Sequence, residues 1–179
     1  MSDGPLEECR AHGVPNLRFV RNNVYRSGQP TVEGWDYLRT LFDGKRVRVL
    51  KLNFDDEGSD EPARAMGWDV RELGIEPRTD PNGLIPAVEE VFEKPDPSVW
   101  AEIEQQILLM DTTGETYLIH CVNGHDRTGL ACGHVRVLLD KWTKALAYSE
   151  MVALGFHPEL VGLDRQWADL RAPGGSTDG

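Results

Sequence analysis

Apolar and polar positions along this chain follow two periods in turn. Short stretches at Val47 to Leu52, at Trp68 to Leu73 and around Val24 have the length and pattern of strands. Thr116-Tyr117-Leu118-Ile119 is a short β-branched and apolar run with no polar alternation, which predicts a central strand covered on both faces. Between these runs the period lengthens to that of a helix. The spacing predicts a helix from Thr31 to Phe42, capped by Thr31 and ended by Asp43-Gly44, and a short one from Glu61 to Met66. Ser98, after the loop Glu93-Lys94-Pro95-Asp96-Pro97, is the expected cap of a helix through Met110. A further helix is expected from about Thr128 to Asp140, with Ala131, Val135, Leu138 and Leu139 on one amphipathic face. Segments Thr143 to Leu154 and Pro158 to Leu170 close the domain, with Trp142 and Trp167 read as packing residues. Strand and helix in alternation predict an α/β domain with a central, mostly parallel sheet of four or five strands and helices on both faces. Residues 1–20 lack either period and are expected to be weakly ordered. One domain then spans 21–171, and the Gly-, Ser- and Pro-rich tail 172–179 is expected to be disordered.

One connection in this pattern carries chemistry. His120-Cys121-Val122-Asn123-Gly124-His125-Asp126-Arg127-Thr128-Gly129 runs from the carboxyl end of the buried strand to the amino end of a helix. Unpaired backbone N–H groups and the helix dipole make such a junction attractive to anions before any side chain is counted. Val122, Asn123, Gly124, His125, Asp126 and Arg127 are therefore the expected phosphate-binding residues, with Gly124 free to take the left-handed angles that curl the amides around one centre. Cys121 lies at the bottom of this positive field beside Arg127, which favours the nucleophilic thiolate. Arg127 can hold two phosphoryl oxygens at once and keep holding them as they rearrange. The Thr128 hydroxyl is placed to hydrogen-bond the sulfur when it leaves.

The sequence His-Cys-x5-Arg-Thr-Gly, as it stands from His120 to Gly129, resembles the signature loop of the cysteine-dependent phosphatases, the protein tyrosine phosphatase and dual-specificity phosphatase superfamily. Val24-Tyr25-Arg26-Ser27-Gly28-Gln29-Pro30, with the helix and the strand that follow, is similar to the opening of the compact dual-specificity-like members. The resemblance spans roughly residues 20 to 170. It implies a phosphatase that forms a phosphocysteine intermediate and needs an acid on a loop after an earlier strand. Asp80, in the turn-rich stretch Gly74 to Gly83, is the expected proton donor. Asp126 competes for that role, since an Asp directly before the Arg-Thr pair looks like the loop of lipid-directed relatives; the other reading makes it a brace for the loop. His120 is expected to orient the loop from behind, and His125 either to attract phosphate or to face solvent. Arg26 and Arg78 read as bracing or surface arginines rather than pocket residues.

Whole-chain numbers narrow the remaining classes. The 179 residues, 40% hydrophobic, suffice for one ordinary core. Three cysteines, one of them in the loop, argue for a reducing compartment, and Cys132 reads as a packed thiol on the next helix. The amino terminus has no apolar signal region and there is no long apolar run, so neither a secretory leader nor a membrane span is expected and the protein is placed in the cytoplasm. No His, Cys or acidic cluster has ligand spacing, so neither metal nor cofactor is expected. A net charge of −11 speaks against nucleic-acid partners. Acids concentrate at Asp55-Asp56-Glu57, at the carboxyl edge of the sheet, where they would repel a heavily phosphorylated inositol. The expected substrate is thus protein phosphotyrosine, with phosphoserine or phosphothreonine beside it; a phosphoinositide or inositol phosphate is the alternative. A phosphate-reading module without turnover is the weaker third reading, and a rhodanese-type sulfurtransferase resembles the chain less.

Overall fold

The computed structural model describes residues 12–76 and 92–171. Within them the chain runs β1 (Arg18–Arg21), β2 (Val24–Ser27), α1 (Val32–Leu41), β3 (Val47–Lys51), a 3-10 turn (Asp55–Glu57), α2 (Glu61–Ala65) and β4 (Asp69–Glu72). It continues with α3 (Pro97–Leu109), β5 (Thr116–His120), α4 (Asp126–Leu138), α5 (Lys144–Ala153) and α6 (Val161–Asp169). The strands form one five-stranded sheet in the order β1-β2-β5-β3-β4, parallel except for the β1–β2 pair. The mostly parallel α/β architecture is the one that the alternation predicts.

β5 is the middle strand and all five of its residues are buried. Its side chains alternate between two cores. Leu118 faces Val47, Val49, Trp35, Leu38 and Phe42 beneath α1 and α2, whereas Tyr117 and Ile119 face the helices α3 to α6. Helices therefore cover both faces, and the loop after His120 leaves the sheet from its most enclosed point.

Several boundaries move. Val14, Leu17 and Val20 are buried, so part of the segment expected to be weakly ordered joins the core and supplies the edge strand β1. The cap of α3 is Asp96 rather than Ser98: its carboxylate accepts the Ser98 and Val99 amides, and Pro97 takes the first helical position. α4 begins at Asp126, two residues early, and is buried on nearly every side instead of being amphipathic. Its small residues Gly129, Ala131, Cys132 and Gly133 let the sheet and the neighbouring helices close around it. His134 sits fully buried between the rings of Trp100 and Trp167, and burial holds it at about 4, hence neutral. Residues 1–11 and the tail 172–179 lie outside the described residues.

Leu118→Ala removes a fully buried side chain shared by both neighbours of the central strand. It should cost about 2–5 kcal/mol in denaturant unfolding, as large-to-small changes in packed cores do.

Candidate active site

β5 delivers Cys121 to the loop, and α4 begins at Asp126. Three consecutive carbonyls between them are tied from outside. Val122 O accepts the Gln29 amide at 2.8 Å, Asn123 O accepts Asn16 Nδ2 at 2.8 Å, and Gly124 O accepts Arg26 Nη2 at 2.7 Å. In a trans peptide the next N–H points opposite to the carbonyl, so outward carbonyls turn the amides of Asn123, Gly124 and His125 inward. The Gly124 N–H accordingly lies 3.3 Å from Cys121 Sγ. Gly124 has φ 74°, and a Cβ there would come within 2.6 Å of Ser27 and Gly28 backbone atoms. Gly28 meets the loop from the other side, where a Cβ would stand 2.7 Å from Val122 O.

Cys121 is 3% exposed, at the floor of this amide-lined loop. Arg127, also buried, is held by Glu57: Nη1 donates to Oε2 at 2.9 Å and Nη2 to Oε1 at 2.8 Å. Nη1 gives its second proton to Ile75 O at 3.2 Å, and the guanidinium lies over the Phe92 ring at 5.4 Å. Of the five guanidinium protons, Nε–H and one on Nη2 have no partner among the described residues. They are parallel and share an edge, which is the geometry that takes two oxygens of one oxyanion. Burial pushes the Glu57 carboxyl upward, but the Arg127 hydrogen bonds, the Phe54 amide and the nearby cations outweigh it, leaving Glu57 below the usual range. The 3-10 turn read as a repellent acidic cluster is thus largely neutralised, with Glu57 on Arg127 and Asp55 on the buried Lys51.

Behind the nucleophile runs a buried polar chain. His120 Nε2 meets Asp60 Oδ2 at 2.8 Å with both side chains wholly buried; Asp60 Oδ1 accepts Gln29 Nε2 at 2.9 Å, and Gln29 Oε1 accepts Asn53 Nδ2 at 2.9 Å. Burial raises the Asp60 carboxyl, yet the His120 and Gln29 bonds and the charges of His120 and Lys51 more than reverse this, so Asp60 is ionised and Nε2 carries the shared proton. Asp60 thus fixes the His120 ring at the end of β5, directly before Cys121.

Thr128 Oγ1 is buried without a hydrogen-bond partner, so the expected bond to the sulfur is not formed here; Sγ takes the Gly124 amide instead. Asp126 Oδ1 accepts both the backbone N–H of His157 at 2.8 Å and its Nδ1 at 2.9 Å, which ties the start of α4 to the turn after α5. Arg26 braces the loop as expected, and His125 Nε2 lies 3.0 Å from Asn16 Nδ2 at the loop's outer turn. Asp80 and Arg78 lie outside the described residues. Asn16 and Asp60 carry no motif of their own; Gln29 lies in the Val24 to Pro30 stretch that carries the resemblance, and Glu57 in the acidic run after β3.

A buried thiol in an amide-lined loop, with an arginine edge free at the loop's end and the central strand of a parallel sheet beneath, is the arrangement expected of the cysteine-dependent phosphatases that the sequence resembles. No family model matches the chain. It is similar to the inositol diphosphatase DSP5 of Arabidopsis thaliana, 26% identical over 157 residues, covering 88% of this chain and 67% of that protein. It spans about half, 53%, of a second inositol diphosphatase of that plant, DSP3. Two solved structures share the fold. The core catalytic domain of the PP-IP phosphatase SIW14 from S. cerevisiae has a TM-score of 0.58 at 20% identity, covering 87% of each chain. P. aeruginosa TpbA in complex with pTyr has a TM-score of 0.56 at 19% identity, covering 86% of this chain and 83% of that one.

Asp126 holds the His157 imidazolium, raising it above its ordinary value of 6.5 through the hydrogen bond and the carboxylate charge. A raised folded value stabilises the protein below pH 6.5, and that stabilisation is lost as pH rises through the folded value. In an NMR titration His157 should protonate above 6.5, and Asp126→Asn should bring it back to about 6.5. An unchanged His157 titration in that variant would contradict the pairing.

Proposed function

We propose that the chain dephosphorylates protein phosphotyrosine, with Cys121, Arg127, Thr128 and Asp80 in the working roles. The observation that carries the choice is the depth of Cys121, only 3% exposed, because a phosphotyrosine carries its phosphate further from the backbone than phosphoserine does. Cys121 Sγ attacks phosphorus in line with the leaving oxygen. The Asn123, Gly124 and His125 amides and the free edge of Arg127 take the three equatorial oxygens and stabilise their charge without reorganising. Asp80 protonates the leaving phenolic oxygen, then, as a carboxylate, takes a proton from the water that cleaves the phosphocysteine. The unpartnered Thr128 hydroxyl is available to hydrogen-bond the departing thiolate. Asp126, occupied by His157, serves as a brace.

A second reading, an inositol diphosphate as substrate, is supported by the names of the relatives and by the pairing of Glu57 and Asp55, which removes the repulsion read from the acidic run. Hydrolysis of an aryl phosphate, followed by a panel of phosphotyrosine peptides and inositol phosphates, separates the two. Turnover of the aryl phosphate should vanish in Cys121→Ser, and the peptides should exceed the inositol phosphates in kcat/KM; the reverse order would replace the first reading by the second.

Asp80→Asn should slow a substrate with a poor leaving group far more than one with a good leaving group, while Asp126→Asn should not discriminate between them. If only Asp126→Asn suppresses the poor leaving group, the acid is misassigned. Glu57→Gln should lower kcat/KM roughly 10- to 100-fold by letting the Arg127 edge drift, the scale expected when a positioned group loses its alignment.

A further inference from the structure

A cavity of about 260 Å³ opens on the outer side of the phosphate loop, lined by Asn16, Arg18, Arg26, Gly124, His125 and the turn 153–155. No carboxylate lines it, in a chain whose net charge is −11. Arg26 is 3% exposed and makes one hydrogen bond, to Gly124 O; among the described residues it has no ion pair. A buried guanidinium without a counter-charge is costly. Arg18 stands directly opposite Arg26 in the antiparallel β1–β2 register and likewise has no carboxylate partner among the described residues. Like charges directly opposite on one face of a sheet repel. Asn16 Nδ2 donates to Asn123 O and also faces His125 Nε2, so that nitrogen accepts and the His125 proton sits on Nδ1 as a further donor. Burial, with the charges of Arg26 and His157, outweighs the neighbouring Asp126 carboxylate and holds His125 below its ordinary value. Donors and positive charge thus gather around one cavity that no carboxylate lines.

We propose that this cavity is a second anion site, distinct from the thiol loop, which takes a phosphate group between Arg18 and Arg26. The group is either free inorganic phosphate, the product of the reaction, or one phosphate of an inositol polyphosphate. The site is independent of which substrate the thiol loop turns over. Its ligand removes the Arg18–Arg26 repulsion and supplies the counter-charge that Arg26 lacks.

The test uses the full chain carboxymethylated at Cys121, so that the thiol loop is already filled by a covalent carboxylate. Calorimetric titration with inorganic phosphate and, separately, with inositol hexakisphosphate should show saturable one-site binding with a roughly millimolar or tighter Kd. Binding of inorganic phosphate assigns a free-anion site; binding of the inositol compound alone assigns a ring-phosphate site. Arg18→Gln, an exposed edge-strand change, should weaken the binding at least fivefold and leave aryl phosphate turnover of the unmodified protein within twofold. Absence of saturable binding by both anions, or equal binding by Arg18→Gln, would overturn the site without touching the phosphatase reading.

Discussion

The structure depends on the outward pinning of three carbonyls. Val122, Asn123 and Gly124 would each gain as much from solvent, yet the Gln29 amide, the Asn16 amide and the Arg26 guanidinium hold all three away from the thiol. That single constraint points the intervening N–H groups at one centre and makes the loop an anion site rather than a turn. It also explains why the segment from β2 to α1 is packed so closely against the loop. Gly28 is there because any side chain would collide with the Val122 carbonyl, and Gly124 because its backbone is left-handed and touches Ser27 and Gly28.

Charge is organised around the same centre. In an acidic chain, the cations near the loop are held singly and by different means. Arg127 is gripped along one edge by Glu57, Lys51 is closed in by Asp55 and the Gly58 carbonyl, and Arg26 is buried against Gly124 O. His120 is anchored by an ionised Asp60, which is in turn held by Gln29. Gln29 therefore contributes twice: its amide to the loop and its side chain to the support of the residue before the nucleophile. A buried polar network of this kind fixes geometry more than it adds stability, because each member would be costly if left alone.

Much of this was legible in the chain. The apolar run at Thr116 to Ile119 marks the central strand, and the spacing from Cys121 to Thr128 marks the loop and its helix, because both signals are local. What was not legible depends on pairs distant in sequence. Glu57 meets Arg127 and Asp60 meets His120 across 70 and 60 residues, and only the β3–β5 register brings those ends together. The acidic run around Glu57 reads as repulsive until the arginine that neutralises it is seen. Asp126 could not be resolved for the same reason, since its partner His157 is 31 residues on, in a turn with no signal of its own. Ser98 loses the cap of α3 to Asp96 because a carboxylate two residues earlier reaches the same amides. β1 was missed because four residues with two arginines carry too little alternation to register as a strand.

The claim that the pinned carbonyls create the active loop is tested most directly by Gly28→Ala. Residue 28 has no side chain of its own, and a methyl group there would stand 2.7 Å from Val122 O and push that peptide out of place. The measurement is kcat/KM for an aryl phosphate, with circular dichroism to verify the fold. The account predicts a loss of tenfold or more, the scale of one misplaced oxyanion donor, in a protein that remains folded. Native-like kcat/KM in folded Gly28→Ala would contradict it.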